Sequence, residues 1–223
     1  MTDLLFIRHA ETRANAVGRW QGWTDPPLTA AGRAQAASLA YRLARELPSV
    51  DAIYTSPLRR ALETARIIAA QLDKEPRLVE GLKEIHFGRL EGVSLDEMEE
   101  RFPDLHARWQ DRSDMEFQWP GGEQRGEFFH RAAAACRRIL QSHLTPSPAR
   151  DSPTGKPVVL VAHGGTIRAC LADLLRETLG NWWTYGLDNT GITRVRVADE
   201  GARLLVLNDT SHLAEDVPQA SGD

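Results

Sequence analysis

The chain has 223 residues, of which 42% are hydrophobic and 26% are charged, and its formal net charge is −4. This length and composition fit one α/β domain of residues 1–223 with a modest insertion and a substantial core. The acidic balance argues against a general nucleic-acid-binding protein. No apolar run approaches the ~18 residues of a membrane span, so we expect no membrane partner.

The cysteine content bears on the compartment. Cys136 and Cys170 both lie in predicted helices and lack metal-ligand spacing. The first predicted strand starts by Leu4, which leaves no room for a signal peptide. We therefore expect a reduced, cytoplasmic protein.

The first predicted strand ends in two chemically active side chains. Residues 4–7 are apolar and predict a buried strand of a parallel sheet, and Arg8 and His9 follow at once. Ligands bind outside the carboxyl ends of the strands in open α/β sheets. The pair is therefore placed to bind an anion and act on it, although taken alone it is equally typical of a solvated strand end.

A second strand repeats this arrangement. Residues 158–162 are apolar and lead into His163, Gly164 and Gly165, which open a predicted helix. Backbone N–H groups at a helix start favour anions, and a glycine pair lets a ligand approach the backbone closely. Two strands that each deliver a histidine at the carboxyl edge predict one shared site.

The helix predicted after residues 52–55 supplies a further cation. A strand at 52–55 is followed by Ser56 and Pro57, a typical N-cap and first helical residue. Arg60 then lies within the first turn. Side chains one residue apart diverge, so we expect Arg60 to face the sheet edge and Arg59 to face solvent.

The rest of the chain completes an α/β fold. Glu84 lies among apolar and glycine residues after a third strand, and the stretch at 85–130 predicts a lid-like excursion over the sheet edge. A mobile loop is predicted at 145–157 and a β-hairpin around Asp199-Glu200-Gly201. We expect a three-layer sandwich with a mostly parallel central sheet, one antiparallel edge strand and helices on both faces.

These residues predict a phosphate pocket that contains a nucleophile. Arg8 and Arg60 offer planar donor forks that match phosphate oxygens. Neutral His9 can attack phosphorus and form a phosphohistidine, and nearby arginines favour the neutral imidazole. His163 would stabilise charge on the equatorial oxygens. Glu84 would protonate the leaving alcohol, because a bound dianion cancels the arginine field and favours the protonated carboxyl.

At this point the sequence resembles the histidine phosphatase superfamily, in its phosphoglycerate-mutase-like branch. Ala10 departs from the glycine that is usual there. The matching motifs occur in the family's order: Arg8-His9-Ala10-Glu11-Thr12 with Asn15, Gln21-Gly22, Ser56-Pro57-Leu58-Arg59-Arg60-Ala61, Glu84, Glu91-Gly92 and His163-Gly164-Gly165-Thr166.

The resemblance implies the role of each site residue and implies that neither a metal nor a cofactor takes part. It makes His9 the phosphorylated nucleophile and Glu84 the proton donor. The remaining residues divide into a phosphate clamp of Arg8, Arg60 and His163 and further substrate-binding residues Asn15, Gln21, Gly22 and Gly164.

We therefore expect a hydrolase of small phosphomonoesters, with phosphoserine, phosphoglycerate, α-ribazole phosphate and sugar phosphates as candidate substrates. A phosphoglycerate mutase is the alternative within the family, but the compact middle of the chain and its short tail after His212 favour the phosphatase. A metalloenzyme that uses His9, His163 and Glu84 is the alternative from another class. The adjacent arginines count against it. A catalytically silent phospho-ligand binder and a homodimeric assembly are also left open.

Overall fold

A six-stranded sheet forms the centre of the computed structural model, which describes residues 1–144, 155–177 and 181–214. The strand order is β3-β2-β4-β1-β5-β6. The bounds are Thr2–Arg8 for β1, Ala52–Thr55 for β2, Pro76–Leu78 for β3, Val158–Ala162 for β4, Ile192–Ala198 for β5 and Gly201–Asp209 for β6.

The predicted mixed sheet is confirmed. Strands β3, β2, β4 and β1 pair in parallel, and β5 pairs antiparallel with both β1 and β6. The strand that runs in the opposite direction is therefore β5, and β6 lies outside it at the edge of the sheet. The turn between β5 and β6 falls at the predicted hairpin.

Helices cover both faces of the sheet. Side chains of β1 alternate, so that Leu5 and Ile7 pack with α2 and α3 while Leu4 and Phe6 pack with α6 and α7. The bounds are Arg13–Ala16 for α1, Ala30–Glu46 for α2, Arg59–Gln71 for α3, Leu95–Arg101 for α4, Pro103–Gln110 for α5, Arg125–Leu144 for α6 and Gly164–Leu175 for α7.

A separate apolar cluster anchors the excursion at 85–130. Trp109, Phe117 and Trp119 pack against Phe128 of α6 and Ala169 of α7. The excursion is therefore held by its own aromatic core above the sheet edge, and its action as a lid stays a prediction. Most of the predicted mobile loop, residues 145–154, lies outside the described residues.

Within the described ranges, no helix combines the length and the apolar character needed to cross a bilayer.

Candidate active site

Strand register brings the two predicted histidines together. Arg8 of β1 lies opposite Ala162 of β4, so His9 and His163 are the next residues along neighbouring parallel strands. The N–H of His9 donates to the Ala162 carbonyl at 2.9 Å. Both imidazoles are buried, with ring centroids 5.1 Å apart.

The same edge adds a residue that the sequence analysis did not place in the site. Thr55 of β2 lies opposite Val161 of β4, which puts Ser56 beside His163. Its Oγ lies 2.8 Å from His163 Nε2 and accepts from the N–H of Leu58 at 3.3 Å. The predicted Ser56 cap is wrong, because α3 begins at Arg59 and its N-cap is Leu58. The Ser56 oxygen accepts from Leu58 in the turn before the helix and also contacts His163.

One ring nitrogen of His9 is left unprotonated. Its Nδ1 lies 2.8 Å from the carbonyl oxygen of Ala10. A carbonyl only accepts, so Nδ1 carries the proton and Nε2 keeps its lone pair. Burial, followed by the Arg60 and Arg8 cations, holds the pKa of His9 well below its ordinary value of 6.5.

Arg60 is fixed beside the His9 imidazole. Its Nε donates to His9 Nε2 at 3.2 Å, and its Nη1 and Nη2 donate to the carbonyls of Thr24 at 2.9 Å and Gly22 at 2.7 Å. Only 1% of Arg60 is exposed. Burial lowers the pKa of Arg60 to about 10, so the guanidinium still carries its charge at neutral pH.

Two buried nitrogens, one on Arg8 and one on His163, have no hydrogen-bond partner in the described part of the chain. Arg8 Nη1 donates to the Leu187 carbonyl at 2.6 Å, but its Nε has no hydrogen-bond partner there, and neither does His163 Nδ1. Burial, followed by Arg60, also holds the pKa of His163 well below 6.5. Buried polar atoms are usually satisfied, so both positions are suited to a bound anion.

Glu84 lies against the start of α7. Its Oε2 accepts from the N–H of Gly165 at 3.0 Å, and its Oε1 accepts from its neighbour Ile85 at 3.0 Å. A Cβ on Gly165 would lie 2.5 Å from Oε1. This second glycine of the predicted pair therefore makes room for the Glu84 carboxylate rather than for a ligand.

The predicted amide ligands are oriented by one threonine. Thr12 donates its N–H to Asn15 Oδ1 at 3.1 Å and its hydroxyl to Gln21 Oε1 at 2.8 Å. Asn15 and Gln21 both line the pocket, and their side-chain oxygens accept these hydrogen bonds from Thr12. Asn189, which the sequence analysis did not select, donates to the His9 carbonyl at 2.7 Å.

An open pocket of about 880 Å³ lies at this edge, and its lining includes Arg8, His9, Asn15, Gln21, Arg60 and Glu84. The predicted site residue His163 is not among the described residues that line it. Most of the other lining residues are aromatic or basic. The described lining includes Gly22, Gly164 and Glu84, the aromatic residues Trp20, Phe87, Trp109, Trp119, Phe128 and Trp183, and the arginines Arg8, Arg19, Arg60, Arg112, Arg125 and Arg168.

The metal-site alternative lacks geometric support. Across residues 1–144, 155–177 and 181–214, no three histidine, cysteine or acidic side chains are grouped as a metal site. His9 Nε2 instead accepts from Arg60, and Glu84 accepts from backbone N–H groups.

The fold and this site together define a phosphatase of the histidine-dependent class. The chain belongs to the histidine phosphatase superfamily, branch 1, whose model matches residues 4–210.

Named relatives agree with this assignment. Phosphoserine phosphatase 1 of Hydrogenobacter thermophilus is 34% identical, with 96% of each chain covered. A glucosyl-3-phosphoglycerate phosphatase of Mycolicibacterium vanbaalenii is 33% identical, with 96% of this chain and 97% of the relative covered. The solved structure of Bacillus stearothermophilus YhfR matches with a TM-score of 0.81 at 31% identity, covering 96% of this chain and all of that chain. The predicted family and the predicted class of phosphoric monoester hydrolase are confirmed.

Proposed function

We propose that this phosphatase hydrolyses a small phosphorylated metabolite in two steps through a phosphohistidine on His9. The observation that carries the proposal is the unprotonated Nε2 of His9, held between buried cations. In the first step Nε2 forms a bond to phosphorus while the bond from phosphorus to the leaving oxygen breaks. In the second step water displaces the histidine and releases inorganic phosphate.

Positive charge around the phosphoryl group supports the first step. Arg60 Nε and the unpartnered Arg8 Nε offer guanidinium donors, and His163 Nδ1 offers a further buried nitrogen. Such donors are already oriented before charge develops on the equatorial oxygens, which is why they stabilise the transition state. An arriving phosphate would take over the hydrogen bond that Arg60 gives His9 and so free the nucleophile.

Glu84 is placed for proton transfer. Its carboxylate is fixed by the N–H groups of Gly165 and Ile85 and lines the pocket beside the two arginines. In the proposed mechanism Glu84 gives a proton to the leaving alkoxide and later removes one from the attacking water.

We propose hydrolysis rather than mutase activity because the pocket is open to solvent, so that water can reach the phosphoenzyme.

The free, buried thiols of Cys136 and Cys170 support a cytoplasmic location. Assembly as a homodimer stays a prediction that light scattering can test.

The test is a rapid-quench reaction of the wild-type protein and of His9→Ala with ³²P-labelled phosphomonoesters. We expect an acid-labile phosphoryl group on His9, and a loss of several orders of magnitude in kcat for the variant. Substantial turnover by His9→Ala would contradict the mechanism. Release of labelled phosphate by the wild type with no label on the protein would contradict it as well. Transfer of the label to another hydroxyl of the substrate faster than phosphate release would indicate a mutase.

A further inference from the structure

The backbone that carries Glu84 is irregular. Residues 83–87 lie between two short 3₁₀ turns, Glu80–Leu82 and Gly88–Leu90. We call residues 81–86 the Glu84 loop. The peptide groups of such a loop need partners from other parts of the chain, and a proton donor must be held within about 0.5 Å of its working position. The contacts that fix this loop therefore bear directly on catalysis.

One arginine of α6 binds three carbonyls of the Glu84 loop. Arg131 Nη1 donates to the carbonyls of Gly81 at 3.1 Å and Lys83 at 3.0 Å, and Nη2 donates to the carbonyl of Glu84 itself at 3.2 Å. Gly81 lies directly against α6, because a Cβ there would lie 2.6 Å from the Cβ of Ala135. This close approach brings a single guanidinium within reach of the loop.

A carboxylate orients that guanidinium and binds the far end of the loop. Glu123 Oε1 accepts from Arg131 Nε at 2.9 Å, and its Oε2 accepts from Arg131 Nη2 at 2.8 Å. The same Oε2 accepts from the N–H of His86 at 2.9 Å, and the N–H of Glu123 donates to the His86 carbonyl at 2.9 Å. Two parallel hydrogen bonds fix the angle of the arginine fork. The pair therefore holds the loop on both sides of Glu84.

The pair lies behind the site. Neither Arg131 nor Glu123 is among the described residues that line the pocket, whereas Glu84 is. A second route to the site is electrostatic, because burial, Arg60 and, to a smaller extent, Arg131 hold the pKa of His163 well below its ordinary value. The two routes can be separated, since a lysine in place of Arg131 keeps the charge but not the planar fork.

We propose that Arg131 and Glu123 are positioning residues for proton transfer, which hold the Glu84 loop so that the Glu84 carboxyl reaches the leaving oxygen. This inference rests on the proposed function, in which Glu84 protonates the leaving alkoxide. The carboxylate is already held from α7 by the N–H of Gly165. The Arg131 fork supplies the matching support from α6 on the backbone of the same residue.

The first test measures alcohol release in the first turnover by rapid quench. The alkyl ester is whichever of phosphoserine and 3-phosphoglycerate the wild type hydrolyses faster, and p-nitrophenyl phosphate is the comparison. Arg131→Gln should slow the alkyl ester about 10- to 100-fold, as expected for a misplaced reacting group. It should slow p-nitrophenyl phosphate less than about threefold, because that leaving group needs no proton. Equal losses on both esters would overturn the proposal.

A double-mutant cycle shows whether Arg131 acts through Glu84. In Glu84→Gln the acid is already absent, so adding Arg131→Gln should slow the alkyl ester by less than about threefold more. If the two losses multiply instead, Arg131 acts independently of Glu84 and the proposal is overturned. Arg131→Lys should show most of the loss of Arg131→Gln. Recovery of the wild-type rate in Arg131→Lys would assign the effect to charge at His163 and would also overturn it.

Arg137→Gln is the matched control, because it breaks another pair of an arginine of α6 with a carboxylate, that of Asp173. Both of its rates should stay at wild-type values. If Arg131→Gln does not fold, Glu123→Gln decides by the same ratio of losses on the two esters.

Failure of the proposed function gives different results. Equal losses on both esters in Glu84→Gln would contradict the acid role of Glu84 and this inference with it. Absence of turnover on every ester, including p-nitrophenyl phosphate, would contradict the phosphatase function itself.

Discussion

The hydroxyl of Ser56 lies 2.8 Å from Nε2 of His163, on the side of the imidazole opposite its unpartnered Nδ1. Ser56 Oγ accepts from the N–H of Leu58, and its own proton can be donated to His163 Nε2. The serine would then keep Nε2 unprotonated and leave Nδ1–H to donate to phosphate. Ser56 acts in this arrangement as a positioning residue.

Ser56→Ala should lower kcat about 10- to 100-fold, the usual cost of losing a group that orients a site imidazole. The decisive measurement is the tautomer of His163 in protein labelled with ¹⁵N-histidine. We expect Nδ1–H in the wild type and a shift toward Nε2–H in the variant. An unchanged tautomer would mean that the serine only fills space, and Ser56→Thr, which keeps the hydroxyl, should restore the wild-type spectrum.

Glu84→Gln should slow hydrolysis in proportion to the basicity of the leaving group. Alkyl phosphates need a proton on the leaving oxygen and should lose about 100-fold or more in kcat, whereas p-nitrophenyl phosphate should lose much less. Steady-state rates on both substrates check this. Equal losses would assign Glu84 to positioning alone.

Gly165→Ala should impair the same step without removing any catalytic side chain. The new Cβ would lie 2.5 Å from Glu84 Oε1, so the carboxylate must move. We expect a lower kcat on alkyl phosphates with the fold retained. Gly186→Ala is the control, since a Cβ there meets no atom within 4 Å. Wild-type kinetics in Gly165→Ala would show that the carboxylate does not need its observed position.

The two buried histidines make stability depend on pH. Each has a folded-state pKa well below the ordinary 6.5, so the unfolded chain binds more protons once the pH falls below that value. Stability is therefore full above about pH 6.5 and should fall by about 1.4 kcal/mol per histidine on going to about pH 5.5. Urea unfolding at both pH values measures this. The loss should be smaller in His9→Asn, and an equal loss in the variant would contradict the assignment.

Activity should persist in excess chelator, because Arg8 and Arg60 already supply the positive charge that a metal ion would bring. Vanadate, which mimics the transferring phosphoryl group, should inhibit. Phosphate release after extensive dialysis against EDTA measures the first effect. Loss of activity that one divalent ion restores would favour a metal-dependent mechanism.

Much of the sheet could be predicted because the apolar runs of β1 and β4 are uninterrupted and end in histidines. Parallel pairing then places His9 and His163 at one edge without further information. The predicted positions of Arg8, Arg60 and Glu84 follow the same logic, since Arg8 is the last residue of β1 and the other two follow β2 and β3, and all three line the pocket.

Other features depend on tertiary contacts that no local pattern encodes. Ser56 precedes a proline and has the pattern of a helix cap, but its hydroxyl contacts a residue 107 positions away in the chain. Arg112 and Trp183 lie in polar or irregular stretches. Trp183 packs against the aromatic cluster of the excursion, and Arg112 stacks on Trp109 and Trp183, so this part of the pocket could not be built from spacing alone.

The backbone hydrogen bond from His9 to Ala162 has a consequence for the dynamics of the enzyme. His9 and His163 directly follow Arg8 and Ala162, which pair across the two central strands β1 and β4. Central strands are among the last elements to open in native proteins. Amide protons of His9 and of β4 should therefore exchange with solvent only through global unfolding. We therefore expect the reacting centre to coincide with the slowest-exchanging backbone, so that substrate enters the open pocket without any opening of β1 and β4.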